Sequence, residues 1–187
     1  RVHPTARSVA AIPELTFEME LRAKPLSVEA FLPFGVVIEL PSQTPDATSA
    51  DWEWWAETAT LLPSQQPYSV GYFTRAPDDL LVDWAERHMY SAEMLIPLQG
   101  ECLICVAPPA RPEQPARPPE LDQFQGFRLR AGQAVVLQPA VWHSAPLAIS
   151  QPVSLIVLLR QGTGQNDTYL VRFPDTPVRL VISQEHS

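Results

Sequence analysis

Residues 80–100 read Leu80-Leu81-Val82-Asp83-Trp84-Ala85-Glu86-Arg87-His88-Met89-Tyr90-Ser91-Ala92-Glu93-Met94-Leu95-Ile96-Pro97-Leu98-Gln99-Gly100, and Cys102-Leu103-Ile104-Cys105-Val106-Ala107 follows almost at once. Three short apolar runs, 80–88, 93–98 and 102–107, are separated by Ser91 and Gly100. Short apolar runs with turn residues between them read as successive β-strands. Side chains in a strand alternate between faces, so Glu86 and His88 share one face and Arg87 takes the other. A hairpin closing over 89–92 brings Glu93 beside His88.

The pattern continues in both directions. Strands are expected at 16–24, 36–40, 68–74, 124–130, 133–137, 142–147, 153–160 and 168–173. Ser27 caps a one- or two-turn helix over 27–31. A second short helix is expected over 51–62, capped by Asp51 or Ser49 and carrying Trp52, Trp54 and Trp55. Many short strands with Gly, Pro and Asn between them predict an all-β sandwich or barrel. The chain holds 21 prolines, six of them between Pro108 and Pro119. Proline opposes long helices, and that cluster reads as an exposed, extended loop over 108–120. At 187 residues the chain is read as a single domain over 1–187, with 1–13 a loose arm.

Composition limits the partners. Hydrophobic residues make up 45% and charged residues 18%, as in ordinary globular proteins. A net charge of -8 disfavours binding to nucleic acid. No apolar stretch is long enough to span a membrane, and the N-terminus lacks a basic-then-apolar leader, so a cytoplasmic location is expected. Cys102 and Cys105 form a CxxC, yet residues three apart on a strand face opposite ways. They read as small buried residues rather than a redox or zinc pair.

The chain has four histidines. His3 and His186 lie near its ends; the internal pair is His88 and His143. His143 sits in a second segment, Gly132 followed by Pro139-Ala140-Val141-Trp142-His143, 55 residues beyond His88. In a closed barrel Glu86, His88, Glu93 and His143 can point inward to one place. Imidazole nitrogen and carboxylate oxygen suit Mn, Fe, Ni or Zn, and two histidines with one carboxylate leave positions open for substrate. Arg75 and Arg160 are candidates to hold a substrate carboxylate, and equally read as members of ion pairs. Trp142 is a candidate substrate contact or a packing residue.

The spacing resembles that of the cupin superfamily. His88, Glu93 and Gly100 match the first cupin motif, with Glu86 where a first histidine would stand. Gly132 and His143 match the second motif, with Pro139 shifted by one and Ala140 in place of a glycine. The resemblance narrows to the ureidoglycolate lyase (ureidoglycolate hydrolase) family. It is carried by Pro25-Leu26-Ser27-Val28-Glu29-Ala30-Phe31 with Phe34-Gly35-Val36-Val37-Ile38-Glu39, by Glu86-Arg87-His88 with Ile96-Pro97-Leu98-Gln99-Gly100, by Val141-Trp142-His143-Ser144-Ala145-Pro146-Leu147, and by Arg160 with Asp167. It runs from about residue 24 to 175, and at Glu93 this chain departs from a family that usually has glutamine there.

The resemblance implies a cupin-type double-stranded β-helix, a jelly-roll barrel with a few short helices near the N-terminus. It implies cleavage of ureidoglycolate to glyoxylate and urea in allantoin and purine breakdown, and a homodimer. His88, Glu93 and His143 would hold a divalent cation, with Glu86 a fourth ligand or the general base. The tryptophan-rich stretch 52–55 departs from the family, so two other readings accompany this one. One is another metal-dependent cupin enzyme acting on a small carboxylic acid; the other is a non-catalytic cupin that binds a small ligand.

Overall fold

The computed structural model describes residues 19–39, 41–61, 64, 66–109, 111–173 and 177–182. The arm expected at 1–13, His3 and His186 lie outside these residues. In chain order the strands are β1 Met19–Pro25, β2 Gly35–Ile38, β3 Ala47–Thr48, β4 Glu53–Trp54, β5 Tyr68–Arg75, β6 Leu81–Val82, β7 Trp84–His88 and β8 Glu93–Gln99. Then come β9 Glu101–Ala107, β10 Gln125–Arg130, β11 Ala134–Leu137, β12 Trp142–His143, β13 Leu147–Ala148, β14 Val153–Arg160, β15 Thr168–Arg172 and β16 Val178–Ile182. The helices among the described residues are one-turn pieces. They are α1 Val28–Phe31, α2 Thr163–Asn166 and a 3-10 turn at Leu121–Gln123. None is long and apolar enough to cross a membrane.

The strands form a large sheet in the order β15-β7-β12-β9-β10-β1-β16-β6, with β13 beside β9, and a smaller sheet in the order β2-β11-β8-β14-β5. This is the all-β fold expected from the strand pattern and the jelly roll that the resemblance implies, with both layers supplying one core. Phe31, Phe34 and Phe127 meet there at ring separations of 5.2–5.7 Å, joined by Leu95, Ile104, Val106, Val135 and Leu155.

β9 shows how alternation builds a second core. Its Cys102, Ile104 and Val106 face the core between the sheets, whereas Leu103, Cys105 and Ala107 face a cluster with Ala23, Val82, Ala85, Trp142, Leu147, Val178 and Leu180. The sheet order explains that cluster. β6 and β7 stand far apart in the order, yet Asp83 alone separates them in the chain. The large sheet must therefore curl until its ends meet, and the second core fills the curl. The two cysteines are free, buried and on opposite faces, and burial pushes the Cys102 thiol up to about 12.

Three local expectations are corrected. Over 51–62 there is no helix among the described residues; β4 pairs with β3, and Ser49 N–H donates to Trp52 O at 2.8 Å in the tight turn. Crowded tryptophans lose rotamer freedom in a helix and fit an extended ribbon better. The run 80–88 is split at Asp83, because β6 pairs with β16 while β7 pairs with β15 and β12. The run 142–147 is interrupted before Pro146, which has no N–H for the ladder. β16, parallel to β1, is an additional strand that the sequence did not signal.

Candidate metal centre

The site grows out of β7. Ala85 belongs to the second core, so Glu86 and His88 turn toward the space between the sheets. β12 places His143 directly opposite Glu86, while its neighbour Trp142 faces the second core. On the smaller sheet, Leu95 of β8 faces the shared core, and Glu93 two residues earlier lies on the same face. One sheet thus supplies Glu86, His88 and His143, and the facing sheet supplies Glu93.

The four side chains do converge. Glu93 Oε2 lies 3.3 Å from His88 Nε2 and 2.9 Å from His143 Nε2. Glu86 Oε1 is 3.9 Å from His143 Nε2. One ligand atom each from Glu86, His88 and His143 fits within a 4.8 Å span. His88, Glu93 and His143 are buried, and Glu86 is the partly exposed member, on the solvent side of the cluster.

The far nitrogens fix the ring orientations. His143 Nδ1 is 3.1 Å from Val141 O, and His88 Nδ1 is 3.2 Å from Asp167 O. A carbonyl only accepts, so each Nδ1 carries the hydrogen and each Nε2 faces Glu93. Ala140 shapes the approach to His143. It takes the left-handed φ of 67° where the cupin pattern has glycine, and its N–H donates to His88 O.

These groups fit a cation. Glu93 Oε2 and His143 Nε2 are buried without a hydrogen-bond partner, close together but not aligned for an N–H···O bond. Two donors, each about 2.1 Å from one ion at right angles, stand about 3 Å apart, which matches the Nε2–Oε2 separations. Histidines tied through Nδ1 to main-chain carbonyls are the usual support for such a centre. The charges agree. Burial works to raise the Glu93 carboxyl, but the facing His143 and His88 outweigh it and hold it at about 2. Burial works to lower His143, and Glu93 with Glu86 outweighs that, raising it to about 9.

Of the substrate candidates, Arg75 and Trp142 fall away from the cluster, whereas Arg160 borders it, next to Leu159, which pairs with Glu93. Arg75 pairs with Val153 at the end of β14 remote from Leu159, which pairs with Glu93, and its Nε donates to Asp78 Oδ2 at 2.9 Å. Trp142 is fully buried, with the Arg87 guanidinium 4.8 Å above its ring, on the strand face away from the cluster. Arg160 Nη2 donates to Asp167 at 3.3 Å. Arg87 donates to Pro115 O and Gln114 O at 2.8 Å each, so the proline-rich loop is tied down behind the ligands. Sequence reasoning missed Thr168, whose Oγ1 lies 3.3 Å from His88 Nδ1. The available signal was register, since Thr168 opens the strand that pairs with β7.

Comparison with known proteins gives the family of the chain. A family model described as Ureidoglycolate lyase matches residues 18–179. A ureidoglycolate lyase of Azotobacter vinelandii is 32% identical over 152 residues, covering 78% of this chain and 88% of that protein. One of Brucella abortus is 29% identical over 172 residues, covering 88% and 96%. Among solved structures, a dTDP-4-dehydrorhamnose 3,5-epimerase of Elizabethkingia anophelis aligns with a TM-score of 0.44 at 10% identity, covering 63% of this chain and 67% of that one. An oxalate decarboxylase of Lactobacillus farciminis aligns at 0.40 and 15% identity, covering 57% and 27%. On the match that spans most of its length, this chain belongs to the ureidoglycolate lyase family.

Proposed function

We propose that this chain cleaves ureidoglycolate to glyoxylate and urea, with His88, Glu93 and His143 holding a divalent cation. The observation that carries the reading is the convergence of two Nε2 atoms on the buried Glu93 carboxylate, drawn from facing sheets. A cation held there would supply Lewis-acid chemistry, lowering the pKa of the substrate hydroxyl.

The scissile C–N bond lies in a carbinolamine. Removing the hydroxyl proton lets the oxygen electrons form the aldehyde C=O of glyoxylate as the C–N bond breaks. The electron pair leaves with the urea nitrogen, which takes up a proton. Atoms and charge balance without water or an oxidant. Glu86 is the base in this scheme, being partly exposed and 3.9 Å from His143 Nε2, outside the closer Glu93 contact. The buried cluster excludes bulk water from the ligand side and keeps the imidazoles oriented.

Purified protein supplied with Mn(II), Ni(II) or Zn(II) should release glyoxylate and urea in equal amounts from ureidoglycolate. Cation-loaded protein without turnover would remove this substrate assignment. A homodimer in the cytoplasm completes the proposal. The dimer is supported by the outer face of the smaller sheet, where the large hydrophobic side chains Val36, Val70 and Tyr72 are exposed.

A further inference from the structure

We infer that Asp167 is a positioning residue for His88 and Glu93, with Arg160 as its counter-charge; the purpose of that positioning rests on the cation-binding reading above. The Asp167 side chain has no solvent exposure, so its carboxylate must be satisfied from within. Its Oδ1 accepts Met89 N–H and its Oδ2 accepts Tyr90 N–H, both at 2.9 Å, and Arg160 Nη2 adds a charged donor at 3.3 Å. Met89 and Tyr90 begin the four-residue turn that separates His88 from Glu93. Arg160 holds that turn a second time, since its main-chain N–H donates to Ser91 Oγ at 3.0 Å. One buried carboxylate with its arginine therefore sets the spacing of two cluster members that neither residue touches through its own side chain.

The main chain of Asp167 acts on the other side of the imidazole. Its carbonyl accepts from His88 Nδ1 at 3.2 Å. Thr168 Oγ1, 3.3 Å from the same nitrogen, donates its own hydrogen to Thr163 O at 3.2 Å and so can only accept from His88. Two acceptors converge on Nδ1, and the hydrogen is confined to that atom. His88 Nε2 is left to face Glu93. Asp167→Asn keeps the shape, but in either amide orientation its NH2 group confronts one backbone N–H, Met89 or Tyr90, donor against donor, and the charge that pairs with Arg160 is lost.

The test uses metal-free protein first. Nitrogen-15 NMR of the wild type should show His88 as the Nδ1–H tautomer, with slow amide exchange at Met89 and Tyr90. In Asp167→Asn those two amides should exchange at least about tenfold faster and the His88 signals should show mixed tautomers. Co(II), titrated by its visible spectrum, should bind about 10- to 100-fold more weakly, the usual loss when the support of a ligand is removed. Arg160→Gln should shift the same observables in the same direction, by less. A wild-type Nε2–H tautomer, or Asp167→Asn with wild-type exchange and Co(II) affinity, overturns the inference. Should Asp167→Asn fail to fold, wild-type exchange at Met89 and Tyr90 in Arg160→Gln overturns it instead. Failure of the wild type to bind Co(II) overturns the cation reading, while tautomer and amide exchange still decide the role of Asp167.

Discussion

Glu93 and His143 hold each other in opposite charge states, and that mutual hold makes stability depend on pH in a defined window. Glu93 falls from its usual 4.5 to about 2, and His143 rises from 6.5 to about 9. A lowered carboxyl contributes stability above its unfolded pKa and loses it as pH falls toward 2. A raised imidazole contributes below its unfolded pKa and loses it as pH rises through 9. The pair thus supports the metal-free fold fully between about 4.5 and 6.5. The melting temperature of metal-free protein should be highest there and decline on both sides; a midpoint unchanged from pH 6 to 9 would contradict the pairing. A cation must displace the His143 proton, so its affinity should climb toward pH 9 with proton release, measurable by calorimetry in buffers of differing ionisation enthalpy. Glu86→Gln separates binding from chemistry. It should lower kcat by about 10²- to 10⁴-fold while cation content stays at the wild-type level. The four cluster residues were legible in the sequence because alternation and two turns suffice to aim them. Asp167 entered the sequence reading only through the family resemblance, since nothing in a lone acid before a strand says that it reaches back 78 residues to Met89.

Among the elements, β9 was the easiest to read and the segment 51–62 the hardest. An apolar run such as β9 buries both faces, so tertiary context and local preference agree. In the 51–62 segment the capping residues and the tryptophans point in different directions, and the exposed β3–β4 ribbon lacks the core contacts that make a pattern strong. The proline-rich loop, expected to be exposed and extended, makes two tight turns, Gln114 N–H to Arg111 O and Arg117 N–H to Gln114 O, and its tie to Arg87 was not visible. That arginine sits buried between Glu86 and His88 in the chain with loop carbonyls as partners, and burial lowers its pKa. Arg87→Met should cost about 3 kcal/mol, because carbonyls of Gln114 and Pro115 lose their charged donor while the apolar stem survives. Limited proteolysis should then cut within 111–117 at rates well above wild type. A loop that stays protected in Arg87→Met would show that other contacts anchor it.

For the molecule as a whole, the outer face of the smaller sheet bears on assembly. Phe73 of β5 packs inward beside Leu155, so Val70 and Tyr72 point outward, with Ile156 opposite Tyr72. A protein of net charge -8 meets its own copy most readily where apolar side chains rather than acids are exposed. In the proposed homodimer, Tyr72→Arg should shift light-scattering mass from dimer toward monomer at micromolar concentration without altering the melting transition of the monomer. A dimer unaffected by it would place the contact on another surface.

β1 lies between β10 and β16. One neighbour comes from mid-chain, and the other, Val178–Ile182, lies about 160 positions downstream of β1. During synthesis β1 therefore waits for β16, made long after it, before the curl can close around Ala23, Val178 and Leu180. Nascent chains stalled before residue 178 should stay protease-sensitive and engage chaperones, and clipping Val178–Ile182 from the finished molecule should undo the rear core ahead of the imidazole cluster.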